Sequence, residues 1–396
     1  MNLPDRHAIV AGAGIGGLVA ALALARAGLR VTILERLPVL DDAGAGIQLP
    51  PNALRVLDSL GLGDALGARA DTPPALLLRK ARDGRDLMRL PGGAMQARWG
   101  AAGRAIHRAD LQRLLIEAVA LEPRITLDLG AAVAGFAAGA DGVAVALRRG
   151  LIRQQASGDL LVGADGLRSL VRAKLTGADD LRFSGHVAWR ALIDMQRLPA
   201  DTRAPETTLW LAPKSHVVHY PLRGGALMNV VAVVESRDAG ASVDDIWSQP
   251  GDPAVLAAIF RGSTPALRQL LDAAEAWRVW PLYERASQAP WTQDRIALLG
   301  DAAHPMLPFL AQGAAQAIED AGALGAALAG TGDTMLALAA YERQRRARAE
   351  DVVRQSARQG RIYHMTGLGA LARDLVMRHS GEARLLRRLD WLYAPT

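Results

Sequence analysis

Residues His7-Ala8-Ile9-Val10-Ala11-Gly12-Ala13-Gly14-Ile15-Gly16-Gly17 decide the fold of this 396-residue chain. The first five read as a short buried strand. Leu18 to Ala27 reads as a helix that Gly28 stops, and Arg30 to Glu35 as a second strand, which completes a compact β-α-β unit. Gly12 permits the tight turn, Gly14 lets backbone approach a pyrophosphate, and Gly17 lets the helix pack on its strand. The helix start then offers free N–H groups and a positive dipole end to phosphate. Glu35, eighteen residues past Gly17, is placed to accept the ribose hydroxyls of an adenosine. A dinucleotide is the expected ligand, and the fingerprint by itself fits FAD and NAD equally.

Half the residues are hydrophobic and the formal net charge is +6. A chain of this length and composition has ample core for two domains. It has no cysteine, which excludes disulfides, thiolate metal sites and cysteine nucleophiles and fits a reducing compartment. Its densest basic stretch, Arg343 to Arg361, is interrupted by Glu350 and Asp351 and reads as a solvated helix face, not a nucleic-acid surface. The histidines show no ligand spacing with an acid on one helical face, so no metal is expected. Ala8 to Ala25 is uncharged, yet it is built of Gly and Ala around the phosphate-loop spacing and reads neither as a signal peptide nor as a membrane span. The expectation is a cytoplasmic monomer or homodimer with no membrane or nucleic-acid partner.

Further along, the pattern places a helix near Asn52 to Leu60, strands at Ala75 to Lys80, Val143 to Arg148 and Leu160 to Val162, and a helix at Arg108 to Ala120. Long alternating strands run from Phe183 to Ser236. Thr207 to Leu222 reads as continuous strand, joined to Ala226–Val234 by the hairpin turn Arg223-Gly224-Gly225. Val255 to Ala274 reads as one helix, and Ala314 to Ala329 as an Ala-rich helix suited to close packing. Two further glycine-acid motifs stand out: Gly163-Ala164-Asp165-Gly166, followed by Ser169 and Arg172, and Gly300-Asp301-Ala302-Ala303-His304-Pro305.

In this order and spacing the three motifs resemble the FAD-dependent aromatic hydroxylases, the single-component flavoprotein monooxygenases, over nearly the whole chain. The resemblance implies noncovalent FAD as cofactor and NADH, or NADPH, as cosubstrate. It assigns Asp165 to flavin and pyridine-nucleotide binding and Asp301 to the ribityl chain. It sets the helix start at Gly313 and Ala314 near the flavin pyrimidine edge, where backbone N–H groups stabilise a reduced, anionic flavin. It places Arg36 near the adenosine, Ile47 near the isoalloxazine, Arg108 and Gln112 on the cofactor, and Pro308 beside cofactor and substrate. The implied fold class is α/β. A Rossmann-like FAD-binding domain spans residues 1–180 and 280–345, an inserted antiparallel-sheet substrate domain spans 181–279, and a helical C-terminus spans 346–396.

Within the family, Ser215-His216-Val217-Val218-His219-Tyr220-Pro221-Leu222, the run His304 to Gly313, and Asp390-Trp391-Leu392-Tyr393 are similar to salicylate hydroxylases, 3-hydroxybenzoate 6-hydroxylases and 6-hydroxynicotinate 3-monooxygenases. The implied reaction hydroxylates a small aromatic acid or phenol with NADH and O₂ through a flavin hydroperoxide. Pro308 stands where 3-hydroxybenzoate 6-hydroxylases tend to carry Gln, which argues against that regiochemistry. Gly103-Arg104-Ala105 departs from a stretch richer in aromatics and Pro in salicylate enzymes. His216 and Tyr220 are four residues apart on one strand, so they share a face and His219 takes the other. If the first face lines the pocket, His216 is the candidate base on a substrate phenol, Tyr220 positions its oxygen, and Trp189 and Arg190 are pocket neighbours. The competing readings are a heteroaromatic or polycyclic substrate, and a flavoprotein dehydrogenase that inserts no oxygen.

Overall fold

The structure is a computed structural model that describes residues 6–40, 44–177, 180–237, 249–285 and 289–395. The strand His7–Ala11 is central to a six-stranded sheet, with Arg30–Glu35 and Leu160–Gly163 parallel to it on either side. Ile125–Leu129 extends one edge; Ile296–Leu298 and Thr292–Gln293 extend the other. Ala8, Ile9 and Val10 are fully buried, as expected of a central parallel strand covered on both faces. The helix Ile15–Arg26 covers one face and lies tightly on the helix Gly313–Gly330. A Cβ on Gly325 would come within 2.9 Å of Ala23, and one on Gly16 within 2.7 Å of Leu299. That contact is why the late helix is made of Ala and Gly. Ala132–Ala138, Val143–Arg149 and Ile152–Gly158 form a separate three-stranded sheet.

The second large sheet has eight strands in the order Gln249–Gly251, Trp277–Arg285, Leu181–Asp194, Leu227–Glu235, Ser215–Leu222, Thr207–Ala212, Ala75–Lys80 and Asp86–Pro91. Its two faces part by alternation. Val187, Trp189, Ala191, Val217, Val230 and Ala232 face the helices Pro253–Ile259 and Pro265–Asp272. Ala188, Val231 and Val233 face Leu307 and Phe309 on the nucleotide-binding side. Both faces are buried, which explains the unbroken apolar run through Val230–Val234.

The sequence expectations need three corrections. Thr207 to Leu222 is two strands: Pro213 and Lys214, the latter at φ 55°, form a tight reversal. The expected helix from Val255 to Ala274 breaks before Pro265, where Thr264 caps the second half by accepting from Leu267 N. The eight-stranded sheet also exceeds the expected 181–279 domain. Ala75–Lys80 lies parallel to Thr207–Ala212, and Trp277–Arg285 crosses the boundary. At the C-terminus a 30-residue helix, Thr334–Tyr363, precedes the helices Gly367–His379 and Glu382–Tyr393. Trp99 Nε1 donates to Asp390 and Arg348 donates to the Trp391 and Leu392 carbonyls, which fastens the chain end to the body.

Candidate active site

The phosphate loop has the geometry its glycines require. Gly12 sits at φ 103°, and a Cβ there would meet Ala164 O at 2.6 Å. A Cβ on Gly17 would fall 2.0 Å from Gly12 O. Gly14 differs: its backbone is extended, at φ −71° and ψ 176°, and a Cβ would meet no atom within 4 Å. The loop is thus open to a ligand at Gly14 and closed by packing at Gly12 and Gly17. Glu35 Oε2 accepts from Ala13 N at 2.8 Å and Oε1 from Leu37 N at 2.9 Å. A carboxylate oxygen has a second lone pair, so ribose can still be read while the acid also pins the loop. Gln112 Nε2 donates to Ala13 O at 2.9 Å, which holds the loop from the other side. Arg36 is exposed just beyond Glu35. These residues fit a dinucleotide.

The other two motifs lie against this loop. Ser169 Oγ and Val171 N both donate to Asp165, and Arg172 Nη1 donates to the Ala302 and Ala303 carbonyls. Asp165 and Arg172 therefore shape and splice the two loops. Asp301 is exposed, yet its surroundings desolvate it; burial pushes its carboxyl up, opposed by His304, Arg108 and Arg285. The loop is braced from behind by a buried network that the sequence reading missed. Asp320 accepts from Gly300 N, pairs with His304 Nε2 at 2.5 Å and with Arg345 Nε at 2.8 Å. Burial alone would raise the Asp320 pKa, but His304 and Arg345 hold it at about 2. Gly313 starts the late helix with no side-chain cap and no first-turn acid, and a Cβ on it would meet nothing within 4 Å. Ala314 follows, and Pro308 begins the turn that ends with Ala311 at φ 53°. The N–H groups at that helix start are open to an anionic ligand edge.

The facing sheet brings the candidate substrate residues together. Strand register sets three rows: His216 beside Val233 and Ala188, Val218 beside Val231 and Arg190, and Tyr220 beside Asn229 and Leu192. Arg190 thus lies between His216 and Tyr220 on one face. Gly46, next to Ile47, passes directly over this face. A Cβ on it would come within 2.6 Å of the Tyr220 ring, and its N–H donates to Asn229 Oδ1 at 2.7 Å. Burial raises the Tyr220 pKa, and the Arg190 charge opposes that. Burial lowers the Arg190 pKa, and Arg108 lowers it further; Arg108 also acts on Asp301 and so spans the two sides. Arg190 lies 5.0 Å over the Trp280 ring, and no carboxylate pairs with it among the described residues. Its Nε and Asn229 Nδ2 are buried donors without partners. The expectation for Trp189 is corrected. It points to the opposite face, into the core against the helices behind the sheet, and only Arg190 of the two shares the face of His216 and Tyr220.

His216 is buried between Phe309, Tyr363 and His364, and its Nδ1 lies 2.9 Å from His364 Nε2. Burial, with His364 and His186 nearby, holds its pKa well below 6.5, so it stays neutral at neutral pH. His186, Glu235 and His364 bring one ligand atom each within 4.8 Å of one another, a juxtaposition that spacing along one helix does not reveal.

His219 faces away, as alternation requires, and accepts from Trp210 Nε1 at 3.0 Å. Burial, and then Arg79, lowers its pKa from 6.5 to about 3. Because the folded pKa is depressed, the neutral His219 contributes stability that is full above pH 6.5 and lost as pH falls from 6.5 toward 3. His219→Gln keeps an acceptor for Trp210 but cannot titrate. The expected result is a stability-against-pH slope between pH 6 and 4 smaller by about 1.4 kcal/mol per pH unit, measured by urea unfolding. An unchanged slope would show that His219 does not titrate on unfolding.

Comparison with known proteins agrees with this geometry. Residues 5–356 match the sequence family described as FAD binding domain. A 3-hydroxybenzoate 6-hydroxylase of Klebsiella oxytoca is 37% identical over 390 residues, covering 98% of this chain and 96% of that protein. The 3-amino-4-hydroxybenzoate 2-monooxygenase PtnB3 of Streptomyces platensis is 39% identical over 387 residues, covering 97% and 94%. The crystal structure of Klebsiella pneumoniae HpxO complexed with FAD and uric acid superposes with a TM-score of 0.86 at 27% identity, covering 99% and 98% of the two chains. One of these relatives has the activity that the Pro308 expectation disfavours. Another, the 3-amino-4-hydroxybenzoate 2-monooxygenase, hydroxylates a different ring position. Among the described residues no helix is long and apolar enough to cross a membrane.

Proposed function

We propose that this chain, which belongs to the FAD-binding family of flavin-dependent aromatic hydroxylases, hydroxylates a small aromatic acid that carries a phenol, using NADH and O₂. Bound FAD supplies the redox chemistry, taking hydride from the nicotinamide and activating O₂. The chain supplies the rest. Gly12, Gly14, Gly17, Glu35 and Gln112 hold the dinucleotide end. Asp301, Gly313 and Ala314 border the isoalloxazine end, with Ile47 across the crevice. On the sheet face, His216 takes the phenol proton at Nε2, and Tyr220 fixes the oxygen. Ionisation makes the ring carbons ortho and para to that oxygen electron-rich, and an unperturbed phenol, with a pKa of ~10, does not ionise unaided at pH 7.

The observation that carries this reading is Arg190. A half-buried guanidinium with a buried, unpartnered Nε and no carboxylate beside it among the described residues is costly, and a substrate carboxylate completes it. Losing a charged hydrogen bond of ~1.5–3 kcal/mol predicts that Arg190→Gln raises KM for 3-hydroxybenzoate by about 10- to 150-fold. The KM of phenol, which has no carboxylate, should stay within about twofold, with steady-state NADH oxidation as the readout. Equal effects on both compounds would remove Arg190 from carboxylate binding. A heteroaromatic substrate is the second reading, favoured by the likeness to HpxO, whose structure holds uric acid. It predicts faster turnover of fused-ring oxo-heterocycles than of any hydroxybenzoate.

A further inference from the structure

We propose that the proton taken by His216 leaves the site through His364 and Glu235, a relay from the buried sheet face to solvent. The inference rests on the reading of His216 as base. His216 Nδ1 lies 2.9 Å from His364 Nε2, and both rings are buried. His364 sits at the end of the long C-terminal helix, 148 residues away in sequence, and its carbonyl accepts from Lys214 N two residues before His216. Its other nitrogen, Nδ1, is buried without a hydrogen bond and lies 3.5 Å from Glu235 Oε1. The Glu235 side chain is 40% exposed. Each imidazole therefore has one nitrogen toward its predecessor and one toward its successor, and the last acceptor meets water.

The need for an exit follows from the surroundings. His186 and His364 face His216, together with Tyr363 and Phe309; His186 and Arg373 act on His364, which burial and these charges hold at about 4. Neither imidazole can store a proton at neutral pH, so a phenol proton accepted by His216 must move on at once. His186 is as close to His364 as His216 is, but its Nδ1 donates to Ser184 O at 3.0 Å, and it makes no hydrogen bond to His216 among the described residues. The transfer balances without redox change. The phenol O–H bond breaks as N–H forms at His216 Nε2, and the proton on His216 Nδ1 passes to His364 Nε2. A rotation of the exposed Glu235 side chain closes the 3.5 Å gap to a hydrogen bond, and the proton on His364 Nδ1 then passes to the carboxylate, which releases it to water.

The test uses the FAD-loaded protein with NADH and 3-hydroxybenzoate, measuring hydroxylated product from pH 6 to 10. His364→Ala should lower product formation by about 10- to 100-fold at pH 7, with KM and FAD content within about twofold. Added imidazole should restore much of the rate, and so should a pH above 9, where the phenol ionises unaided. Glu235→Gln, a change at an accessible strand end, should cost about three- to tenfold with the same recovery at high pH; it keeps the test open if His364→Ala folds poorly. Full rates in Glu235→Gln and in His364→Gln would overturn the relay. Losses that neither imidazole nor alkaline pH lessens would overturn it too, since a structural role predicts that pattern. If these variants are unimpaired while His216→Ala is crippled, the relay fails and the base stands; an unimpaired His216→Ala removes the base itself.

Discussion

His216→Ala is expected to lower coupled hydroxylation by about 10²–10⁴-fold near pH 7, the loss that follows removal of a positioned general base. The defect should shrink as pH approaches the phenol pKa of ~10, because the substrate then ionises without help. Wild-type rates should show no His216 titration at neutral pH. The His216 pKa is held well below 6.5 by burial and by its two histidine neighbours, so the base is already free at neutrality. His219→Ala should behave differently. That residue is on the far face, bonded to Trp210, and its removal should cost stability while leaving the pH–rate profile unchanged. Equal catalytic losses in the two variants would mean that the other sheet face lines the pocket.

Gly14→Val separates cofactor binding from folding. The backbone at Gly14 is extended, a conformation any residue adopts, and the space beyond its Cα holds no protein atom within 4 Å. The valine side chain would occupy the approach to the pyrophosphate. FAD affinity should fall by at least about 10²-fold, from hydrogen bonds to an anion worth ~1.5–3 kcal/mol each. Unfolding free energy of the FAD-free protein should change by no more than about 0.5 kcal/mol, the range for substitutions without a packing conflict. Gly17→Ala should do the reverse, since its methyl would sit 2.0 Å from the Gly12 carbonyl and damage the fold itself. A Gly14→Val protein that purifies with full FAD content would show that the loop does not hold the pyrophosphate.

Local signals in the sequence carried far. The glycine turn, the two strands around it and the Ala-rich helix follow from spacing and residue size alone, and each stands where the pattern placed it. The shared face of His216 and Tyr220 follows from a period of two, which no tertiary context alters within one strand. The face of Trp189 does not follow. Its strand pairs with Leu227–Glu235, and which residue of one stands opposite which of the other is fixed by turns and bulges between them, not by either strand's own pattern. The breaks at Pro213 and Pro265 were legible, since Pro inside a strand or helix pattern marks an interruption. Recruitment of Ala75–Pro91 to the large sheet, the Asp320–Arg345 brace and the approach of His364 to His216 are long-range. Each joins segments whose local sequence would read the same without the partner.

The central claim is that the sheet face bearing Arg190, His216 and Tyr220 directs oxygen from FAD-activated O₂ onto a phenolic acid. Its most direct test is turnover of 3-hydroxybenzoate under ¹⁸O₂ with NADH, with product mass and NADH consumption followed together. The account predicts one ¹⁸O atom per molecule of hydroxylated product, formed in near-equal amount to the NADH consumed. NADH oxidation that delivers electrons to a dye or to peroxide alone, with no labelled product from any hydroxybenzoate, would contradict it.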